Sequence, residues 1–166
     1  MATALHSAAR SGDVAAVRSL VASGADLEEP GEYGARPLHW AAGHGQVEVL
    51  KVLVALGADM EAKAAEGETP LHIAASNGQV EAIKVLVALG ANKQAMSANG
   101  GTPLHVAAAI KGHVGAIRAL VELGADIDAQ TTGSQIFYPS FLCARVSKGV
   151  GYKASFYPRP LHRGLG

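Results

Sequence analysis

Histidine is the side chain best placed to do chemistry in this chain. Four of its seven histidines, His6, His39, His72 and His105, are evenly spaced. Imidazole binds transition metals and moves protons near neutral pH, so a regular set invites a metal or acid–base reading. The spacing itself removes that reading. Successive members are 33 residues apart, each in the same frame: Leu5-His6-Ser7-Ala8-Ala9, Leu38-His39-Trp40-Ala41-Ala42, Leu71-His72-Ile73-Ala74-Ala75 and Leu104-His105-Val106-Ala107-Ala108. A histidine present once per unit at a fixed interval is first a building block of a stacked repeat.

Other candidate chemistry is sparse. His44 and His113 lie at or beside glycine turns, where polar exposure is expected; His44 is the better candidate for a surface contact. The chain has no His-Glu-x-x-His, Cys-x-x-Cys or Gly-x-Ser-x-Gly sequence. Cys143 has no acid–base partner placed by the repeat, so a buried or unstructured thiol is expected rather than a nucleophile. The glycines fall at repeat turns and not in a loop that cradles phosphate. No catalytic residue, cofactor or metal site is expected, and the chain reads as a non-enzyme.

The elements that must position these residues are legible in residues 64–96. Thr69 suits an N-cap, and Pro70 the first helical position, where its missing N–H costs nothing. Leu71, Ile73, Ala74 and Ala75 follow as a short helix whose paired alanines let neighbouring helices approach closely. Asn77-Gly78 turns the chain. Val80, Ile83, Leu86 and Val87 then form the apolar stripe of a second helix, with Gly90 at its C-terminal end. Each unit is helix, turn, helix, then an extended loop. Neither helix can bury its face alone, so the pairs must stack into a solenoid.

This pattern resembles the ankyrin repeat. The family's Thr-Pro-Leu-His-x-Ala-Ala motif stands here as residues 69–75 and 102–108. Its Gly-Ala-Asp turn appears at Gly24-Ala25-Asp26, Gly57-Ala58-Asp59 and Gly124-Ala125-Asp126, with Gly90-Ala91-Asn92 as a variant. The resemblance covers residues 2–130, with repeats at about 2–30, 31–63, 64–96 and 97–130. It implies an all-α solenoid of stacked helix-turn-helix units with hairpin loops, and histidines that hydrogen-bond within the hairpin-to-helix turn.

The departures are informative. Ala4 replaces the proline in the first copy, which suits a terminal cap. Gly112 follows Gly78 by 34 residues, so one residue is inserted among Ala109, Ile110 and Lys111, and a bulge on the binding side is expected. No fifth Leu-His-x-Ala-Ala follows. Residues 131–166 read as a non-repeat, basic, aromatic tail: residues 139–148 as a degenerate covering helix, or the whole as a disordered segment from a splice or frame change.

Charge divides at the same boundary. Residues 1–130 carry all 14 acids against 9 Lys/Arg, a net of −5, and the tail carries 5 Lys/Arg and no acid. One cysteine excludes an internal disulfide framework and suits a reducing compartment. Neither a secretory signal nor an apolar run of membrane-spanning length is visible. A cytoplasmic protein is expected, with the nucleus as the alternative.

Two acidic hairpins, with Asp26, Glu28, Glu29 and Glu32 against Arg36 and Asp59, Glu61, Glu66 and Glu68 against Lys63, would stack into a negative edge. Such an edge attracts a basic partner or simply keeps the rim soluble. The resemblance places partner contacts at the hairpin tips and the exposed ends of the inner helices. The candidates are Glu32, Tyr33, His44, Glu66, Glu68, Ser76, Asn77, Asn99 and Lys111, with Tyr33 foremost. Trp40 occupies the core position of its motif, so packing is expected of it. The preferred function is a monomeric protein-interaction module for a protein partner, a basic one favoured, with no small-molecule substrate. Two alternatives stand beside it: a regulatory fragment or splice form of a larger enzyme or channel, and an adaptor whose basic tail binds nucleic acid or an anionic membrane. Low charge density in the tail argues against the adaptor.

Overall fold

The computed structural model describes residues 3–109, 113–127 and 129. Four helix pairs follow one another: α1 (Ala4–Ser11) with α2 (Val14–Ala22), α3 (Pro37–Gly43) with α4 (Val47–Ala55), α5 (Pro70–Ser76) with α6 (Val80–Ala88), and α7 (Pro103–Ala109) with α8 (Val114–Glu122). Among the described residues there is no strand. The odd-numbered helices form an inner row, each packed on the next, and the even-numbered helices form an outer row. The inserted residue of the fourth unit and the whole of residues 131–166, including Cys143 and the tail's basic and aromatic residues, lie outside the described residues, so those expectations are not addressed.

The motif explains the packing. Leu5, Leu38, Leu71 and Leu104 are fully buried at equivalent positions, and so are the second alanines Ala9, Ala42 and Ala75. With only a methyl group at those alanines, adjacent inner helices close to contact. The outer helices bury Val17, Leu50, Ile83 and Ile117, while Val80 and Val87 at the edges of the expected stripe are half-buried. The stripe also runs through Ala82, which periodicity alone did not single out.

The repeating histidines carry the bonds between units. His72 Nδ1 accepts the Thr69 N–H at 3.2 Å and lies 2.9 Å from the Thr69 hydroxyl. Its Nε2 lies 3.0 Å from the Gly101 carbonyl of the next unit. A carbonyl only accepts, so Nε2 carries the hydrogen and Nδ1 is the bare acceptor. His6 and His39 repeat the arrangement, reaching the carbonyls of Ala35 and Glu68, each at 3.1 Å. His105 holds Thr102 in the same way through Nδ1; among the described residues its buried Nε2 reaches no carbonyl within hydrogen-bond geometry, and the backbone of Ala129 is the group that opposes the lowering of its pKa by burial.

A second set of cross-links joins the far end of the inner helices. Gln46 Nε2 donates to the Arg10 carbonyl at 3.0 Å, Gln79 Nε2 to the Gly43 carbonyl at 3.3 Å, and His113 Nε2 to the Ser76 carbonyl at 3.0 Å. His113 is therefore half-buried and bonded, a correction to its expected exposure in a turn. Gly78 makes room for it: a Cβ there would meet His113 Nδ1 at 2.7 Å, and its φ of +67° disfavours a side chain as well. The insertion leaves this register intact, because the His113 N–H still reaches the Ala107 carbonyl, as Gln79 reaches Ala74.

Burial sets the ionisation of the inner histidines. His39 is pushed down to about 4 by desolvation, against the opposing pull of the Glu68 carbonyl, and His72 is lowered for the same reason. Their folded pKa values lie below the unfolded value, so their contribution is complete above about pH 6.5 and is lost as pH falls toward the folded value. Urea unfolding should show a loss of about 2 kcal/mol between pH 7 and pH 5 from His39 alone. In His39→Gln that fall should be shallower; an unchanged slope would place the titration elsewhere. Repeat four is the unit whose inner histidine makes no onward hydrogen bond among the described residues. Amides of α7 and α8 should exchange with deuterium faster than those of α3 to α6, and equal protection would refute this.

Candidate functional site

Three fingers project from the stack at residues 31–35, 64–68 and 97–101, each closed by its own backbone bonds. They are tied to one another as well: the Ala65 N–H donates to the Tyr33 carbonyl at 2.8 Å, and the Ala98 N–H to the Glu66 carbonyl at 2.9 Å. A groove of about 430 Å³ lies between the first two fingers and the inner helices α3 and α5. Glu32, Tyr33, Ala35, Ala64, Ala65, Glu66 and Glu68 line it from the fingers, and His39, Trp40, Gly43, His44, Ile73 and Asn77 from the helices.

Six sequence candidates thus come together: Glu32, Tyr33, His44, Glu66, Glu68 and Asn77. Ser76 and Asn99 do not line the groove. The Ser76 hydroxyl donates to the Ile73 carbonyl, and its own carbonyl is taken by His113. Asn99 stands exposed on the third finger. Lys111 is outside the described residues.

Tyr33 is the strained member. It is 85% exposed, and its φ of +54° is the one positive value at a non-glycine position among the described residues. Gly34 follows at +69°, and the Ala35 N–H donates to the Glu32 carbonyl at 3.0 Å. Two consecutive left-handed residues inside such a bond make a type I′ turn, which favours Asn-Gly over Tyr-Gly. Glu66 and Asn99, at the same place in the later fingers, have no such conformation.

Trp40 combines the expected packing with a role that sequence reasoning missed. It packs against the core yet stays half-buried and lines the groove. His44 stacks on it with ring centres 5.9 Å apart, and the His44 Nδ1–H donates to the Trp40 carbonyl at 3.0 Å. The Arg10 guanidinium lies 5.7 Å above the indole without lining the groove. The indole Nε1 is buried and has no hydrogen-bond partner among the described residues. Gly43 allows α3 and α5 to close beneath: a Cβ there would meet Ile73 Cγ2 at 2.9 Å and Asn77 Nδ2 at 3.1 Å. An aromatic residue where the other motifs carry Ser7, Ile73 and Val106 was the available signal.

The acidic edge separates into two rows. At the foot of the fingers the acids hold backbone: Glu28 accepts the Asp59 N–H at 2.8 Å and pairs with Arg36 at 3.0 Å, Glu61 accepts the Asn92 N–H at 2.8 Å, and Asp26 and Asp59 each accept an amide two residues on. Lys63 is occupied by the Met96 carbonyl. At the tips, Glu32, Glu66 and Glu68 are in no ion pair among the described residues, and Glu68 is pushed above the usual carboxylate range by burial and then by the nearby Glu66.

A family model described as ankyrin repeats (3 copies) matches the chain twice, over residues 1–64 and 56–131. The chain belongs to the ankyrin repeat family. No curated protein matches it. Ankyrin repeats are generally protein–protein interaction modules. The repeat's histidines have both ring nitrogens engaged in His6, His39 and His72, which accounts for their place in the motif without any ligand. Among the described residues no group of three His, Cys, Asp or Glu could hold a metal ion, and no helix is long and apolar enough to cross a membrane.

A left-handed non-glycine residue costs on the order of 1–2 kcal/mol. Tyr33→Asn should therefore raise stability by about 1 kcal/mol in urea or thermal unfolding. A loss of stability would show that the ring contributes packing which its exposure does not suggest.

Proposed function

We propose that this ankyrin-repeat chain is a non-enzymatic interaction module that takes a protein segment in the groove between its first two fingers and inner helices. The observation that carries the reading is Tyr33. A large amphipathic ring is held almost fully exposed, in a turn conformation that its own backbone disfavours, at the mouth of a cavity. Strain kept at an exposed position points to use there, and exposed tyrosine is a frequent anchor at interfaces. The fingers are cross-linked through backbone, so the surface is formed before binding and little ordering entropy opposes association.

The unpaired acids at the tips favour a basic partner, because charge complementarity raises the encounter rate and selects against acidic competitors. A monomer working in a reducing, intracellular setting suits the single cysteine.

The reading is tested by partner capture. Wild type should be compared with Tyr33→Ala in the groove and Lys84→Ala on the exposed side of α6, quantifying each captured protein. Tyr33→Ala should weaken capture by about 2 kcal/mol, roughly thirtyfold, while Lys84→Ala leaves it unchanged. Loss with Lys84→Ala and retention with Tyr33→Ala would move the interface to the outer helices and overturn the proposal.

A further inference from the structure

The groove is chemically lopsided. Its walls carry Tyr33, Trp40 and Ile73, its rim carries Glu32, Glu66 and Glu68, and no Lys or Arg lines it among the described residues. Two nearby cations are committed elsewhere, Arg36 to Glu28 and Lys63 to the Met96 carbonyl, while Arg10 lies over the indole of Trp40 without lining the groove. From these observations we infer that the groove is a subsite for one lysine or arginine side chain of the bound segment, with its methylene stem along Trp40 and Ile73 and its charge among Glu32, Glu66 and Glu68. The inference rests on the groove reading above and names the chemistry of the anchor.

Competing occupants fit worse. An apolar side chain would cover the rim carboxylates without replacing their water, and buried unpaired charge is costly. An acidic segment would face three like charges. A long cationic side chain satisfies both parts of the groove, because its stem is apolar and its head is charged. Partial enclosure strengthens the pairing relative to open solvent, and aromatic walls accept a cation as well as a methylene chain. The volume of about 430 Å³ lies near the small end of the ~300–1,000 Å³ common for binding pockets, which suits a side chain with its flanking backbone. Half-burial of Glu68 next to Glu66 is consistent: a cation beside Glu68 would lower the pKa that desolvation, and then the Glu66 charge, now raise.

Trp40 is the single tryptophan of the chain, so the subsite has its own reporter. The probes are blocked pentapeptides, Gly-Ser-Lys-Ser-Gly and Gly-Ser-Arg-Ser-Gly, with the central residue replaced by norleucine in the control. Trp40 emission and the amide shifts of residues 33, 43 and 66 are followed in the full chain. At least one cationic peptide should bind saturably, and at least tenfold more tightly than the norleucine peptide. The double variant Glu66→Gln, Glu68→Gln should weaken it about tenfold with an unchanged unfolding midpoint. Glu29→Gln, an exposed acid outside the groove, should leave binding as it was. Equal binding of the norleucine peptide, no saturation with either cationic peptide, or an equal loss in Glu29→Gln would overturn the inference. If the peptides fail while Tyr33→Ala still loses its partner, the cationic subsite falls and the groove stands. If Tyr33→Ala keeps its partner, the groove itself falls.

Discussion

One hydrogen-bonded relay holds this molecule in register. In each completed unit a buried imidazole accepts the backbone N–H that precedes its helix and donates to a carbonyl at the foot of the next finger, 29 residues on. The same ring therefore caps its own unit and fixes the next. Neutral imidazole offers one acceptor and one donor at separate edges of a single rigid ring. Protonation would abolish the acceptor, so the burial that lowers the pKa of His39 and His72 also keeps the relay in its bonding form.

Much of this was legible in the sequence because a period reports structure directly. Leu5-His6 and its three copies, the proline at the helix start and the glycine at the turn fixed the element order and the inner and outer rows before any coordinates. A period says which positions are equivalent, but not which side chains meet across units. His113 was therefore expected as an exposed turn residue and Gln46 and Gln79 drew no notice, although all three bond the inner helix of the preceding unit. The acids were counted as a single edge for the same reason. Only the bonds of Glu28 and Glu61 show that half of that charge holds backbone, leaving Glu32, Glu66 and Glu68 to face the groove.

The candidate site was read from family habit rather than from chemistry, and this shows in what it caught. Fingertip residues such as Tyr33 and Glu66 came together as expected, because the stack brings every tip to one side. Trp40 escaped, since a motif position that is aliphatic in the third and fourth units looks like core. It is core on one side and groove on the other, a consequence of a ring too large for a slot that elsewhere takes serine, isoleucine or valine. The left-handed backbone of Tyr33 had no signature at all beyond the glycine that follows it. Its cost appears only when the turn is built.

Because every completed imidazole donates toward the higher-numbered unit, the array has a polarity that its near-identical repeats conceal. Removing a unit from the low-numbered side frees a carbonyl at a finger foot, which water can satisfy. Removing one from the high-numbered side strands a buried N–H, at a cost of about 1–3 kcal/mol. Duplication and loss of units should accordingly be tolerated unequally at the two ends, an arrow of assembly written into the protonation of a single side chain.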